Sequence, residues 1–510
     1  MSSALCANCG YTIANGIQLP TTPVPDLIQD AHGAYVASES QAQLIHNTIS
    51  STQANISQLD GEIHRLQAVL DGLKHKRDAL QTYTHLHMAL IAPIGRLPPE
   101  ILSEVFLHCQ ESQDSKKLNK LRLNKVPLLL GSVCSRWRTI SLSTAQLWAS
   151  FMLTIESAYL RSDIMLATTW LARAGTCPLT IRLACGDWGR GFLKPLMDIF
   201  LLHCERWYDI HLSLPLRVLG FLGRAKNHLP RLHKLYLGRE LETQEALDIF
   251  EFAPQLRSVH LDFTLTPLMV KVPWSQIKYF DMGRCTVDEC LESLRATPNL
   301  EKCVVRLIRS ERRDSPSPVQ LLCLRSMFIT GEPYHLFDTL LLPKLQEISL
   351  EIEDSRWIVT QQLISLLSRC SLETLCLKLA HPPPDYDMIR ILQACSSLVR
   401  LDLRGRSPEC MTTSFLARFA FRQDPENVMV KELVPVLQTL NVDYTPAYFD
   451  ISRFIDTIQS RISSNDQGLA SDDITTLQRV EIRNIRGRTL NQAILSRLRQ
   501  LTETGLDIYV

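Results

Sequence analysis

No run of 18 or more apolar residues occurs in the 510-residue chain, so a membrane-spanning helix is not expected. Met1 to Tyr11 has neither the charged n-region nor the apolar h-region of an export signal, so secretion is not expected either. Charge of one sign is missing too: 54 basic and 53 acidic residues leave a formal net charge of +1. Such a chain has no global field to draw nucleic acid or an anionic membrane, and any charge-based recognition must be local. The 15 cysteines form no dense, regular framework. Without an export signal they read as reduced thiols that mostly act as small apolar residues, in a cytoplasmic or nuclear protein. Catalytic signatures are also absent: there is no Gly-x-x-x-x-Gly-Lys, no Gly-x-Gly-x-x-Gly after a strand, no Gly-x-Ser-x-Gly and no His-Glu-x-x-His. His85 and His87, two residues apart on a helix, cannot converge on a metal, and Asp385-Tyr-Asp387 reads as a solvated turn. No catalytic residue and no cofactor is assigned, and the chain is not read as an enzyme.

At this length more than one structural unit, or a repeating array, is expected. Residues 1–43 are polar, with Pro20, Pro23 and Pro25 breaking any helix, and read as disordered. Within them Cys6-x-x-Cys9-Gly10 has the spacing of half a zinc site, but the next cysteine is Cys109 and no histidine pair is near. No metal is therefore assigned, unless two chains share one. Residues 44–92 carry a heptad seam: Ile49, Ile56, Leu59, Ile63, Leu66, Leu70, Leu73 and Leu80 alternate in steps of three and four, with Thr52 and Arg77 as polar exceptions. Ile at the first seam position with Leu at the second, as in Ile56/Leu59 and Ile63/Leu66, favours a parallel two-stranded coiled coil, hence a homodimer. The other reading is a helix folded back on its own domain.

Residues 93–150 form the next segment. Pro98 and Pro99 suit the first turn of a helix, Glu100 complements its dipole, and Ile101, Leu102, Val105 and Phe106 make one apolar stripe. A second helix is expected to carry Val133, Trp137 and Ile140 on one face, followed by Leu147-Trp148. Leu97-Pro98-x-Glu100-Ile101-Leu102 with Val105-Phe106, Val133-Cys134-x-Arg136-Trp137-Arg138 and Leu147-Trp148 resemble the F-box, the motif that binds the adaptor subunit of a cullin-RING ubiquitin ligase. The order of the three pieces is the family's, whereas Glu111 to Lys125 is longer and more basic than the family pattern. Lys116, Lys117, Lys120, Arg122 and Lys125 lie there without interleaved aromatics, so no nucleic-acid site is assigned. The F-box-like proteins of basidiomycete fungi, as a family, carry a heptad helix directly before the motif, which extends the resemblance back to about Ala42. The resemblance implies an adaptor-binding surface, or its immediate support, made of Leu97, Pro98, Ile101, Leu102, Val105, Phe106, Val133 and Trp137.

From 151 to 510 the chain repeats itself. An apolar residue, two variable ones, an apolar, one variable and another apolar recur in Trp207/Ile210/Leu212, Leu232/Leu235/Leu237, Leu256/Val259/Leu261, Ile277/Phe280/Met282 and Leu300/Cys303/Val305. The series continues with Leu324/Met327/Ile329, Leu345/Ile348/Leu350, Leu372/Leu375/Leu377, Leu398/Leu401/Leu403, Leu437/Leu440/Val442 and Leu477/Val480/Ile482. Copies from 207 to 398 start 21 to 27 residues apart and the last two steps are 39 and 40, the spacing of degenerate leucine-rich repeats. One strand per repeat buries its apolar side by stacking on neighbours. An earlier strand is expected around Thr176 to Leu183. Helix-like spacing in Gln244 to Phe252, Val287 to Arg295, Gln361 to Ser368 and Met388 to Ala394 makes each repeat strand, turn, helix, and the insertions Ser310 to Ser317, Arg406 to Asn427 and Ser463 to Asp473 read as loops.

The expected fold is thus mixed α/β: a coiled-coil-like helix, a small all-α F-box and a leucine-rich-repeat solenoid. The expected function is that of a substrate receptor, with the ligase adaptor and cullin, an unknown target protein and a second copy of the chain as partners; the alternative is a repeat scaffold outside any ligase. Side chains that alternate with the buried triplets should line the concave surface and meet the target. Tyr236, Tyr279 and Phe328 are the expected anchors. Glu347, Glu351 and Glu353, then Lys378, Arg400 and Arg404, form a step in charge that a target would complement.

Overall fold

The computed structural model describes residues 37–111, 126–155, 160–185, 193–238, 246–262, 269–308, 317–333, 335–352, 360–380, 383–405, 412–420, 433–444, 449–462, 475–484 and 492–509, with Thr21 and Pro23. Cys6, Cys9, the basic stretch up to Lys125 and Glu353 lie outside the described residues, as does nearly all of the segment expected to be disordered. The chain divides into two compact units, Met1–Ile101 and Leu102–Val510.

In the first unit one helix runs from Glu39 to Ile91, 53 residues, or about 80 Å at ~1.5 Å per residue. It begins five residues earlier than the seam alone suggested. Gln41 Oε1 accepts from the Ser38 N–H at 3.1 Å, and Glu39 stands in the positively polarised first turn. The seam is in solvent within this unit: Ile56 is 52% exposed, Ile63 50%, Leu70 50% and Leu80 68%. A short 3-10 turn, Pro93–Arg96, follows.

Pro99 opens the helix Pro99–Glu111, which crosses the boundary between the units. Three short helices follow in the second unit: Val126–Val133, Ser135–Ser143 and Ala145–Trp148. The single second helix expected through Val133, Trp137 and Ile140 is therefore two. Cys134 breaks it: its backbone is extended, and its Sγ accepts from the Trp137 N–H at 3.4 Å, capping the second piece. Arg138 ties the pieces together by donating from Nε to the Gly131 carbonyl at 2.9 Å.

The rest of the second unit is a repeat-like α/β array built on one parallel sheet. Its strands are β1 (Ser150–Ile155), β2 (Leu179–Cys185), β3 (Trp207–Ser213), β4 (Lys234–Gly238), β5 (Ser258–Leu261), β6 (Tyr279–Cys285) and β7 (Lys302–Leu307). After β8 (Val319–Gln320) come β9 (Ser326–Thr330), β10 (Leu340–Leu341), β11 (Glu347–Ile352), β12 (Thr374–Leu379) and β13 (Arg400–Gly405). The series ends with β14 (Thr439–Tyr444), β15 (Arg479–Asn484) and β16 (Asp507–Tyr509). Fourteen of these stand side by side in chain order, while β8 and β10 pair with each other in a separate small sheet. Each strand of the large sheet pairs in parallel with the next, so one strand per repeat buries its apolar side by stacking.

Every residue of the eleven apolar triplets is at most 4% exposed; the second and third of each lie on a strand of the large sheet, and the first, Trp207 apart, lies two residues before that strand begins. Trp148 joins the short helices to this core. Its Nε1 donates to the Ser141 carbonyl at 2.8 Å, and its ring meets Trp170 edge-on at 4.6 Å, which in turn meets Phe151. The array was expected to carry a helix in every repeat, and it does not. Helices occur at Val287–Ala296, Thr360–Leu367 and Asp385–Gln393, close to three of the four expected segments. The described part of Gln244 to Phe252 forms turns instead. There the Leu247 N–H donates to Met269 O at 2.7 Å and its carbonyl accepts from Lys271 at 2.8 Å, which withdraws both groups from a helical ladder. Among the described residues no α-helix lies between β7 and β11. The stretch Arg406 to Asn427, expected to be a loop, contains the helix Thr413–Phe419.

Candidate functional site

Two surfaces carry the residues singled out from sequence. On the first, the eight motif residues separate by burial. Leu102 and Phe106 are 0% exposed and belong to the core. Phe106 faces Trp137 with ring centroids 4.8 Å apart, and Gln110 Nε2 donates to the Leu147 carbonyl at 2.7 Å, so this helix is fastened to the two that follow Cys134. Leu97 and Trp137 are half-buried and Pro98 is exposed. Ile101 and Val105, one helical turn apart, are 49% and 41% exposed. Val133 is 60% exposed, and Leu129, one turn before it on the same short helix, is 62%. Leu128 and Leu129 were not among the expected residues. The run Val126-Pro-Leu-Leu-Leu130, apolar on every side of a helix that can bury only one, was the signal for them.

The second surface is the open face of the sheet. Successive strands place His211, Tyr236, His260, Asp281, Val304, Phe328, Ser349, Cys376, Asp402, Asn441 and Glu481 in one register row across it. At one end of the row His211, Tyr236 and His260 stack, with centroids 5.1 and 4.3 Å apart. The Tyr236 hydroxyl donates to Asp262 Oδ2 at 2.8 Å; burial, then that carboxylate, pushes its pKa well up. Burial opposes ionisation of Asp281, yet His260 Nδ1 at 2.6 Å and the Arg306 guanidinium hold its carboxyl below the ordinary range. Tyr279 is half-buried, and its hydroxyl pKa is raised by burial and by Asp281. The two expected tyrosine anchors are thus close-packed into the face, with Tyr236 held by a bond of its own.

Further along, β9, β11, β12 and β13 line an open groove of about 600 Å³. Six of the expected target residues line it: Phe328, Glu347, Glu351, Lys378, Arg400 and Arg404. It exists because two consecutive strands show only small side chains at its floor, Ser349 on β11 and Thr374 and Cys376 on β12, while Phe328 stands on one flank and the arginines on the other. The charges are not all left to a partner. Lys378 pairs with Glu351 directly across the register, and Ser326 Oγ donates to Glu347 at 2.9 Å. Arg400 gives Nε and Nη2 to the two oxygens of Asp402, both at 3.1 Å, and Arg404 lies 3.5 Å from the same carboxylate. Asn441 Nδ2 donates to it at 2.6 Å. Asp402, only 5% exposed, is the hub of this end; its place between Leu401 and Leu403 puts it on the concave face, but it was not among the residues expected to meet the target.

Among the described residues no group of three or more His, Cys, Asp or Glu could hold a metal, and no helix is long and apolar enough to cross a membrane. Six of the twelve described cysteines are buried, four are half-buried and two are exposed.

No protein-family model matches the chain, and no curated protein matches it. Among solved structures, the complex of Rad7 and Elc1 in yeast is similar at 14% sequence identity and a TM-score of 0.31, over 86% of this chain and 97% of that chain. A likeness at that level carries nothing about function.

Proposed function

We propose that the chain is an F-box substrate receptor of a cullin-RING ubiquitin ligase, of the arrangement in which a heptad helix directly precedes the F-box and degenerate leucine-rich repeats follow it. The helices between Pro99 and Trp148 bind the adaptor subunit, and the open face of the sheet holds the target protein. The observation that carries this reading is the division within the motif. Leu102 and Phe106 are buried, whereas Ile101, Val105 and Val133 are exposed at motif positions, as are Leu128 and Leu129 outside them. Large aliphatic side chains at 41% to 62% exposure on short helices serve little in a lone chain. Covering them with a partner would contribute about 1 kcal/mol each, in the range of ordinary hydrophobic burial for a half-exposed residue.

The mechanism is proximity. Ubiquitin transfer belongs to the RING subunit and its charged carrier, and this chain raises the effective concentration of a target lysine beside them. Pairing of two copies through the heptad helix belongs to the same reading, since its seam offers Ile and Leu to solvent along several heptads.

The test is co-expression of the tagged chain with the ligase adaptor. The double substitution Val105→Glu and Val133→Glu changes only exposed side chains, so its circular dichroism should match wild type while adaptor binding falls at least tenfold. Full adaptor binding by that folded variant refutes the assignment of the surface.

A further inference from the structure

We propose that the groove over β9–β13 takes one extended segment of a target protein, in which an apolar side chain lies against Phe328 and a neighbouring Asp or Glu carboxylate is held between Arg400 and Arg404. This deepens the receptor reading and rests on it.

The flanks fix the two halves of the ligand. β9 and β13 are three strand steps apart in the sheet, or about 14 Å at ~4.8 Å per step. A chain segment fits that width above the small floor of Ser349, Thr374 and Cys376. Phe328, half-buried, offers an apolar flank. Opposite it, Arg400 is 47% and Arg404 31% exposed at the side chain. Asp402, which accepts from Asn441 beside it on the next strand, holds both guanidinium groups in place, while Nη1 of Arg400 keeps two further N–H donors. Two arginines preorganised by one buried acid suit a planar, bidentate anion.

Local charge then selects which anion. Among the residues that line the groove, Arg400 and Arg404 against Asp402 leave one positive charge, which one carboxylate neutralises; on the strands beyond, Glu481 near Arg400 and Asp443 near Arg404 are offset in part by Arg483, and they weigh further against a second negative charge. Glu347 and Glu351 line the side of the groove toward Phe328, with only Lys378 to offset them. A phosphate dianion would bring a negative charge that nothing in the groove balances, so the preferred segment carries a single carboxylate beside an apolar residue.

The test uses fluorescence anisotropy on the full chain with three pools of fluorescein-labelled nonapeptides, random except for a fixed centre of Leu-x-Glu, Leu-x-Gln or Leu-x-phosphoserine. The Glu pool should bind about tenfold tighter than the Gln pool, as a charge-assisted contact does over a neutral one, and tighter than the phosphoserine pool. In the variant Arg400→Gln with Arg404→Gln that preference should vanish. Because this variant strips a buried Asp402 of its two cationic partners, Ser349→Phe serves as the second: it fills the groove from the floor, leaves the arginines alone and should abolish binding of every pool. Equal binding of the Glu and Gln pools, tighter binding of phosphoserine, or undiminished binding by Ser349→Phe overturns the proposal. Adaptor capture by the wild-type chain is read separately. If adaptor is absent while the Glu preference is present, the receptor reading falls and the groove stands; the converse pattern sinks the groove alone.

Discussion

Consider replacing Ile63 and Leu66 by Glu in the helix Glu39–Ile91. In the single chain these two seam residues are 50% and 37% exposed. Pairing with a second helix would cover most of what remains, worth about 1 kcal/mol per side chain by ordinary apolar burial. Two positions in each of two chains then put about 4 kcal/mol at stake, or roughly a thousandfold in Kd, before the repulsion of four carboxylates is counted. Gly61 and Gly72 each cost the helix about 1 kcal/mol relative to Ala, so the dimer has little margin to absorb such a loss. Light scattering coupled to size-exclusion chromatography at micromolar concentration should report a dimer for the wild-type chain and a monomer for the variant. A monomeric wild type, or a variant that stays dimeric, refutes the reasoning from the seam.

Two further outcomes follow from buried groups. Arg461, 1% exposed, donates to the carbonyls of Phe419 at 2.9 Å, Val434 at 3.3 Å and Leu433 at 2.5 Å, and its guanidinium lies 4.1 Å from the Phe419 ring centroid. Arg461→Met should cost about 3 kcal/mol by leaving those acceptors unpaired, read as a lower urea midpoint; an unchanged midpoint would show that the carbonyls find other donors. Burial pushes the Cys370 thiol up to about 11 and the Cys395 thiol up to about 12. The folded state holds these protons more tightly than the unfolded state, so their contribution is intact below about pH 9 and declines as pH rises toward the folded values. Urea midpoints should therefore fall between pH 9 and 10.5, less so in Cys395→Ala; a slope identical in that variant would remove Cys395 from the account.

The strands were legible because the apolar triplet is itself a statement about burial. Residues at the second and third positions of a triplet, such as Leu375 and Leu377, can share a face only in extended backbone. β1 escaped notice although Trp148/Phe151/Leu153 has the same spacing, because Trp148 had already been read as the end of the F-box-like motif. Local chemistry hid the turns around Leu247, whose apolar spacing suits a helix but whose backbone pairs with residues more than twenty positions on. On the open face the candidate residues were legible one by one and their pairings were not. Glu351 meets Lys378, and Asp402 meets Asn441, only through a register between strands that no single repeat encodes. The groove itself depends on small side chains, which leave no mark in a search for charged or aromatic ones.

The most direct test of the receptor reading is quantitative affinity purification of the tagged, full-length chain under native conditions, with the ligase adaptor and cullin measured against a tag-only control. The account predicts both subunits in near-equal amounts with the wild-type chain, and neither with the variant that carries Glu at positions 105 and 133. A folded wild-type chain that recovers neither adaptor nor cullin contradicts it.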